Sequence, residues 1–214
     1  MKITWIGHAC FLLEGREGRV LTDPFDEKIP YTFLTEPVDV VTVSHEHFDH
    51  NAVNRVPGVH EVVRDASAQT AHGISFIGVP AFHDAEEGSK RGRNMIYKFT
   101  LDGISVAHLG DLGHALSQDQ LAALTDVEVI LVPVGGFFTI DADEAADLVA
   151  QLPNVRVIIP MHYKTDRLSE DFPIDTVEKF AARMQNVREI GSAEVALTRS
   201  VLPANPEVWI LNYA

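Results

Sequence analysis

The stretch Asp39-Val-Val-Thr-Val-Ser44 runs directly into His45-Glu46-His47-Phe48-Asp49-His50, and this junction constrains the fold more than any other part of the chain. A short, continuous apolar run reads as a strand buried on both faces, so the sheet that holds it must be covered on both sides. The run ends in three imidazoles and the Asp49 carboxylate. Neutral imidazole and carboxylate are the ligands that borderline divalent metals prefer. In extended chain His45 and His47 project to the same side. Asp49 and His50 follow where the chain must turn and can face that pair across a small gap. The arrangement suits two metal ions about 3.5–4 Å apart, a spacing used for hydrolysis. The alternative, a polar loop with incidental histidines, does not account for so ordered a cluster.

Composition sets the outer bounds. The 214 residues are 46% hydrophobic, ample for a packed core, and we expect a single α/β domain over 1–214. Lys and Arg number 17 against 31 Asp and Glu, a net charge of −14, which argues against a nucleic-acid partner. The single Cys10 excludes an intrachain disulfide and, within Ala9-Cys10-Phe11-Leu12-Leu13, reads as a small buried hydrophobe. The first residues do not form a signal peptide, and no apolar run reaches the ~18 residues of a membrane span. The expectation is a cytoplasmic protein that acts on a small molecule without a membrane partner. Self-association is left open.

Strands are expected at Lys2–Ile6, Ala9–Glu14, Arg19–Thr22, Asp39–Val43, Val59–Val63, Ile74–Val79, Met95–Leu101, Ile104–His108, Val129–Val132 and Val155–Ile159. More sheet is expected at Val195–Leu202 and Val208–Leu211. Asp102-Gly103 marks a tight hairpin. Helices are expected after the capping box Ser117-Gln-Asp-Gln120, over Asp141–Leu152, and over Asp175–Met184 with Asp175 as cap. Many early strands followed by helix–strand alternation suggest sheets sandwiched by helices.

Further candidate ligands stand at strand ends: Asp23 after Arg19–Thr22, His83 after Ile77–Phe82, Asp111 after Val106–Gly110, and His162 after Val157–Met161. A sheet gathers such positions onto one rim. Singly, each reads more readily as a turn residue or a structural histidine than as a ligand. The order Asp23, His45-x-His47-x-Asp49-His50, His83, Asp111, His162 resembles the five motifs of the metallo-β-lactamase superfamily over nearly the whole chain. The stretches Trp5-Ile-Gly-His-Ala-Cys-Phe11, Leu21-Thr-Asp-Pro-Phe25, His108-Leu-Gly-Asp-Leu-Gly-His114 and Pro160-Met-His-Tyr163 are similar to its Zn-dependent hydrolases. Better-understood relatives of that subgroup are L-ascorbate-6-phosphate lactonase and the N-acyl-phosphatidylethanolamine phospholipase D group.

The resemblance implies a four-layer αββα sandwich with the metals at one edge. It implies two divalent ions, zinc first, with Mn2+ or Fe2+ also accommodated. His45, His47 and His83 would hold one ion, Asp49, His50 and His162 the other, and Asp111 would bridge them. Asp23 would lie behind the ligands and orient a histidine. The implied chemistry is attack by a metal-bridging hydroxide on a small anionic ester, lactone or phosphodiester. His47 favours hydrolysis over an iron-dependent oxidoreductase, since diiron relatives usually carry Glu there. A nuclease would share the motif, and the charge of −14 opposes it.

Within this set, the resemblance implies Asp49 and Asp111 as the catalytic carboxylates. His8, in a Gly-His turn, and His114, after the Asp111 loop, are candidate catalytic groups or plain structural histidines. His108 reads as structural. The loop Asp84–Asn94 places Arg91, Arg93 and Asn94 beside His83, an anchor for an anionic substrate or a solvated hairpin tip. Gly135–Phe138 reads as a substrate-approaching loop or a plain turn.

Overall fold

The computed structural model describes residues 1–58 and 60–214. Two sheets form its centre. In chain order, β1 (Lys2–Gly7), β2 (Cys10–Gly15), β3 (Gly18–Thr22), β4 (Val40–Thr42) and β5 (Glu61–Val63) lie side by side. Val59, the first residue of the fifth expected strand, lies outside the described residues. The second sheet contains β6 (Gln69–Ala71), β7 (Ile74–Phe82), β8 (Arg93–Leu101), β9 (Ile104–His108), β10 (Val129–Pro133) and β11 (Val157–Met161). After β11, β12 (Val187–Glu189) and β14 (Glu207–Ile210) extend this sheet, while β13 (Glu194–Ala196) returns to β1.

Side-chain alternation explains why the first sheet is buried on both faces. Ile3, Trp5, Phe11, Leu13, Val20 and Val40 point into the core between the sheets. Their neighbours Ile6, Cys10, Leu12, Leu21 and Val41 point the other way, into a second cluster with Phe25, Ile29, Tyr31, Val56 and Ile174. Cys10 is buried there, as its apolar context implies. Helices α1 (Gln118–Ala123), α2 (Ala142–Ala150) and α3 (Val177–Ala181) contribute Leu121, Leu148, Val149 and Phe180 to the main core. The sandwich is therefore asymmetric. Its outer layer on the first sheet is mostly irregular chain, because Pro24, Pro30 and Pro37 interrupt that segment.

Local differences from the expected elements have physical reasons. The Asp102-Gly103 hairpin forms with both residues at positive φ, 51° and 74°. β6 was not expected; it pairs with β7 through a similar turn at His72-Gly73, with φ of 48° and 76°. The α3 cap is Thr176 rather than Asp175, since the Asp175 backbone is tied to Gly135 and Lys164. The expected strand Val195–Leu202 stops at Ala196, where the register with β1 runs out at Lys2. Among the described residues, no helix is long and apolar enough to cross a membrane.

Strand direction positions the site. β3 runs parallel to β4, and β9, β10 and β11 are mutually parallel. Two antiparallel steps through β8 give β7 the same sense as β9. The carboxyl ends of these strands lie along one edge of the sandwich, where an open sheet presents its ligands.

Candidate metal centre

Each candidate side chain follows one of those ends. His8 follows β1, Asp23 follows β3, and Ser44–His50 follow β4. His83, Asp111 and His162 follow β7, β9 and β11. Three of them adopt left-handed backbone conformations: His8 at φ 54°, Asp23 at 38° and His162 at 51°. Such positions are uncommon for non-glycine residues, although Asp and His tolerate them better than most. Gly110 (φ 54°) leads into Asp111, and a Cβ there would stand 2.5 Å from the Ser44 Cβ, so the two sheet edges meet only because it is glycine.

Asp111 is buried at the centre. Its Oδ2 lies 3.2 Å from His83 Nε2, 3.3 Å from His162 Nε2 and 4.0 Å from His45 Nε2. Its Oδ1 lies 3.3 Å from His50 Nε2. On one side His45, His47 and His83 converge; on the other, His8, Asp49, His50 and His162 do, with the ligand atoms of each group within 4.8 Å of one another. His47 is partly exposed, whereas His45, His50, His83 and His162 are buried.

Behind these groups lies a second set of contacts. The fully buried Asp23 accepts the Ser44 N–H at Oδ1 (2.8 Å), and at Oδ2 it accepts the Ser44 hydroxyl (2.5 Å) and His50 Nδ1–H (2.8 Å). Having donated to Asp23, the Ser44 hydroxyl accepts from His45 Nδ1–H at 2.9 Å. One carboxylate thus fixes the rings of His45 and His50 with both Nε2 atoms turned inward. Ser44 was missed in sequence reading; its signal is its place directly before His45 at the end of an apolar strand.

Electrostatics follow from this crowding. Burial opposes charge on His50, but Asp111, Asp23 and Asp49 outweigh it and hold its pKa well above the usual imidazole value. Burial also opposes ionisation of Asp111, and the His162 and His50 rings override it, keeping the carboxyl well below its usual range. Burial and then His162 push His8 down to about 4, so His8 is a neutral imidazole at pH 7. Desolvation, then His50, lowers His45 to about 3.

The donor set fits divalent ions. Buried His50 Nε2 and Asp111 Oδ1 face each other at 3.3 Å without hydrogen-bond geometry, and among the described residues neither has another hydrogen-bond partner. Unpaired buried polar atoms are costly and rare. Two such atoms, converging among imidazoles and carboxylates, are the surroundings a borderline metal satisfies.

The remaining candidates are placed differently. His8 lies behind Asp49, with Nε2 3.2 Å from Asp49 Oδ2, and does not line the cavity beside the cluster. His114 is outside that cavity too. Its Nε2 accepts the Phe82 N–H at 3.1 Å, and Nδ1 lies 2.7 Å from the Ala115 carbonyl. Asn94 is buried and holds the Asp111 loop, donating to the Leu109 carbonyl (2.9 Å) and accepting the Asp111 N–H (2.9 Å). Arg91 borders the cavity, whereas the exposed Arg93 borders a neighbouring one. His108 is structural: Nε2 donates to the Ala9 carbonyl at 2.8 Å, and Nδ1 accepts the Gly110 N–H at 3.3 Å.

Residues 2–162 match the family model described as the Beta-lactamase superfamily domain. The UPF0173 metal-dependent hydrolase of Archaeoglobus fulgidus is 34% identical over 208 residues, covering 82% of this chain and 88% of its own. That of Methanoculleus marisnigri is 32% identical over 188 residues, covering 77% and 82%. A Thermotoga maritima crystal structure, assigned to the Zn-dependent hydrolases of the metallo-β-lactamase superfamily, superposes with a TM-score of 0.84. It is 38% identical and covers 100% of this chain and 99% of that one.

Proposed function

Given that this chain belongs to the metallo-β-lactamase superfamily and is a metal-dependent hydrolase, we propose that it holds two divalent ions, zinc first, and cleaves a small anionic ester, lactone or phosphodiester. His45, His47 and His83 would hold one ion, Asp49, His50 and His162 the other, with Asp111 between them. When bound, the ions supply Lewis acidity and an activated water. The observation that carries this reading is the buried, unpartnered facing of His50 Nε2 and Asp111 Oδ1.

The protein's own groups prepare that chemistry. Asp23 holds the His50 ring directly and the His45 ring through Ser44. His8 keeps its proton on Nε2 and donates it to Asp49, fixing that carboxylate; its role is positioning rather than contact with substrate. Asn94 holds the Asp111 backbone. Arg91 supplies the cation for an anionic substrate. Residues 1–214 act as one domain in this reading, because the ligands come from the edges of both sheets, and the site of action is the cytoplasm.

The test is metal stoichiometry. Elemental analysis and calorimetric titration with Zn2+ should reach two ions per chain, because seven candidate ligands exceed what one tetrahedral ion uses. Saturation at one ion would overturn the dinuclear site and leave the hydrolase assignment standing.

A further inference from the structure

The cavity beside the cluster has a volume of about 490 Å3, in the range of small-molecule sites. His47, Asp49, His83, Asp111 and His162 line it together with Phe48, Phe138, Phe172 and Arg91. Phe48 is 48% exposed, with Lys28 Nζ 4.8 Å from its ring centroid. Phe138 packs against Phe172 with ring centroids 5.8 Å apart. The three aromatics are far apart in the chain, so no local pattern joins them.

Arg91 is the cation of this lining. Its guanidinium lies 5.3 Å from the Phe138 centroid and 6.0 Å from that of Phe137. It forms no ion pair among the described residues. The acidic group at the rim, Glu46, is already engaged by Arg64 (2.7 Å) and the Asn51 amide (3.1 Å). The Arg91 backbone is held as well. Buried Asp84 accepts the N–H groups of Glu86, Gly88, Lys90 and Arg91 at 2.8, 2.9, 3.0 and 2.8 Å. A guanidinium beside an aromatic face can keep its N–H donors free for an anion.

We propose that this pocket selects substrates joining an anionic group, held by Arg91, to an aromatic or broad apolar body laid on Phe48, Phe138 and Phe172. The proposal rests on the hydrolase reading and names its substrate class. Arg91 also borders the neighbouring cavity of about 650 Å3 that contains Arg64 and Arg93, but that cavity has no aromatic lining. A small inorganic anion would suit it, whereas an aryl anion suits the pocket at the cluster.

Calorimetry on the metal-replete protein tests this with phenylphosphonate, methylphosphonate and benzamide. The wild type should bind phenylphosphonate at least tenfold more tightly than methylphosphonate. Phe138→Ala should reduce that ratio below about threefold. Phe48→Ala, at an exposed position that cannot disturb the core, should reduce it in the same direction. Arg91→Ala should weaken both phosphonates at least fivefold and leave benzamide unchanged; Arg93→Ala should do neither. A wild-type ratio near one, a ratio intact in both phenylalanine variants, or phosphonate binding unchanged by Arg91→Ala would each overturn the proposal. Metal content is measured on the same samples. Full metal occupancy without aryl selectivity refutes the pocket alone; selectivity retained by a protein that takes up no metal refutes the hydrolase reading alone.

Discussion

Replacing Asp23 with Asn tests the idea that one carboxylate sets both halves of the centre. The substitution is isosteric. Its remaining oxygen still accepts the Ser44 N–H, which Asp23 takes at 2.8 Å. The new amide nitrogen, however, donates where Oδ2 accepted His50 Nδ1–H at 2.8 Å. His50 relieves that clash by giving up its Nδ1 proton and keeping the one on Nε2, the atom that faces Asp111 and would ligate a metal. Loss of an outer carboxylate of this kind typically lowers metal affinity about 10–100-fold, or roughly 1.4–2.8 kcal/mol. The fold loses one charge-assisted hydrogen bond, roughly 1.5–3 kcal/mol, which is about 3–12 °C in Tm for a chain of this size. Competition titration against a chromophoric zinc chelator, alongside thermal melts, reads both effects. Ser44→Ala is the internal control: it removes only the relay to His45, so only the ion held by His45, His47 and His83 should weaken. A folded Asp23→Asn protein that binds every zinc ion within twofold of the wild type would refute the reasoning.

Asp111→Asn should abolish turnover and lower metal content while circular dichroism stays native, since the strand behind it is held by apolar packing; near-wild-type activity would remove Asp111 from the centre. Asp84→Asn should destabilise the Arg91 loop in a pH-dependent way. Burial opposes ionisation of Asp84, but four backbone N–H groups, that of Arg91 first, bring its pKa down to about 2 from 3.8. A depressed carboxyl contributes stability that is present above 3.8 and lost as pH falls towards 2, so the gap in Tm between wild type and variant should narrow steadily below pH 4; a gap unchanged from pH 7 to 3 would contradict this. Arg91→Ala should raise KM for an anionic substrate more than it lowers kcat, with the effect shrinking as salt rises, whereas Arg93→Ala should change little; steady-state kinetics at two ionic strengths decides. Phe180→Ala, at a fully buried position of α3, should cost about 3–5 kcal/mol, read by denaturant titration, with the metal stoichiometry unchanged.

Much of the architecture is legible in the chain because it is written in local pattern. Apolar alternation in Lys2–Gly7 and Cys10–Gly15, the Asp102-Gly103 turn, and the Ser117 and Asp141 caps each encode their element within a few residues. The short edge strands Gln69–Ala71 and Val187–Glu189 escape notice because pairing with a neighbour, not their own composition, makes them strands.

The sequence by itself determined which side chains stand at strand ends, and those ends share one edge because the strands that precede them run in one sense. Tertiary structure alone decided what those side chains face. His8 and His114 occupy similar glycine-flanked turns in the sequence, yet one donates to Asp49 and the other caps the Phe82 backbone. Asn94 and Arg93 are adjacent and point to opposite faces of β8, so one is buried against the Asp111 loop and the other is exposed. Phe48, Phe138 and Phe172 line one cavity although the chain separates them widely. Contacts between distant segments depend on how two sheets close over a common core, and no local pattern records that closure.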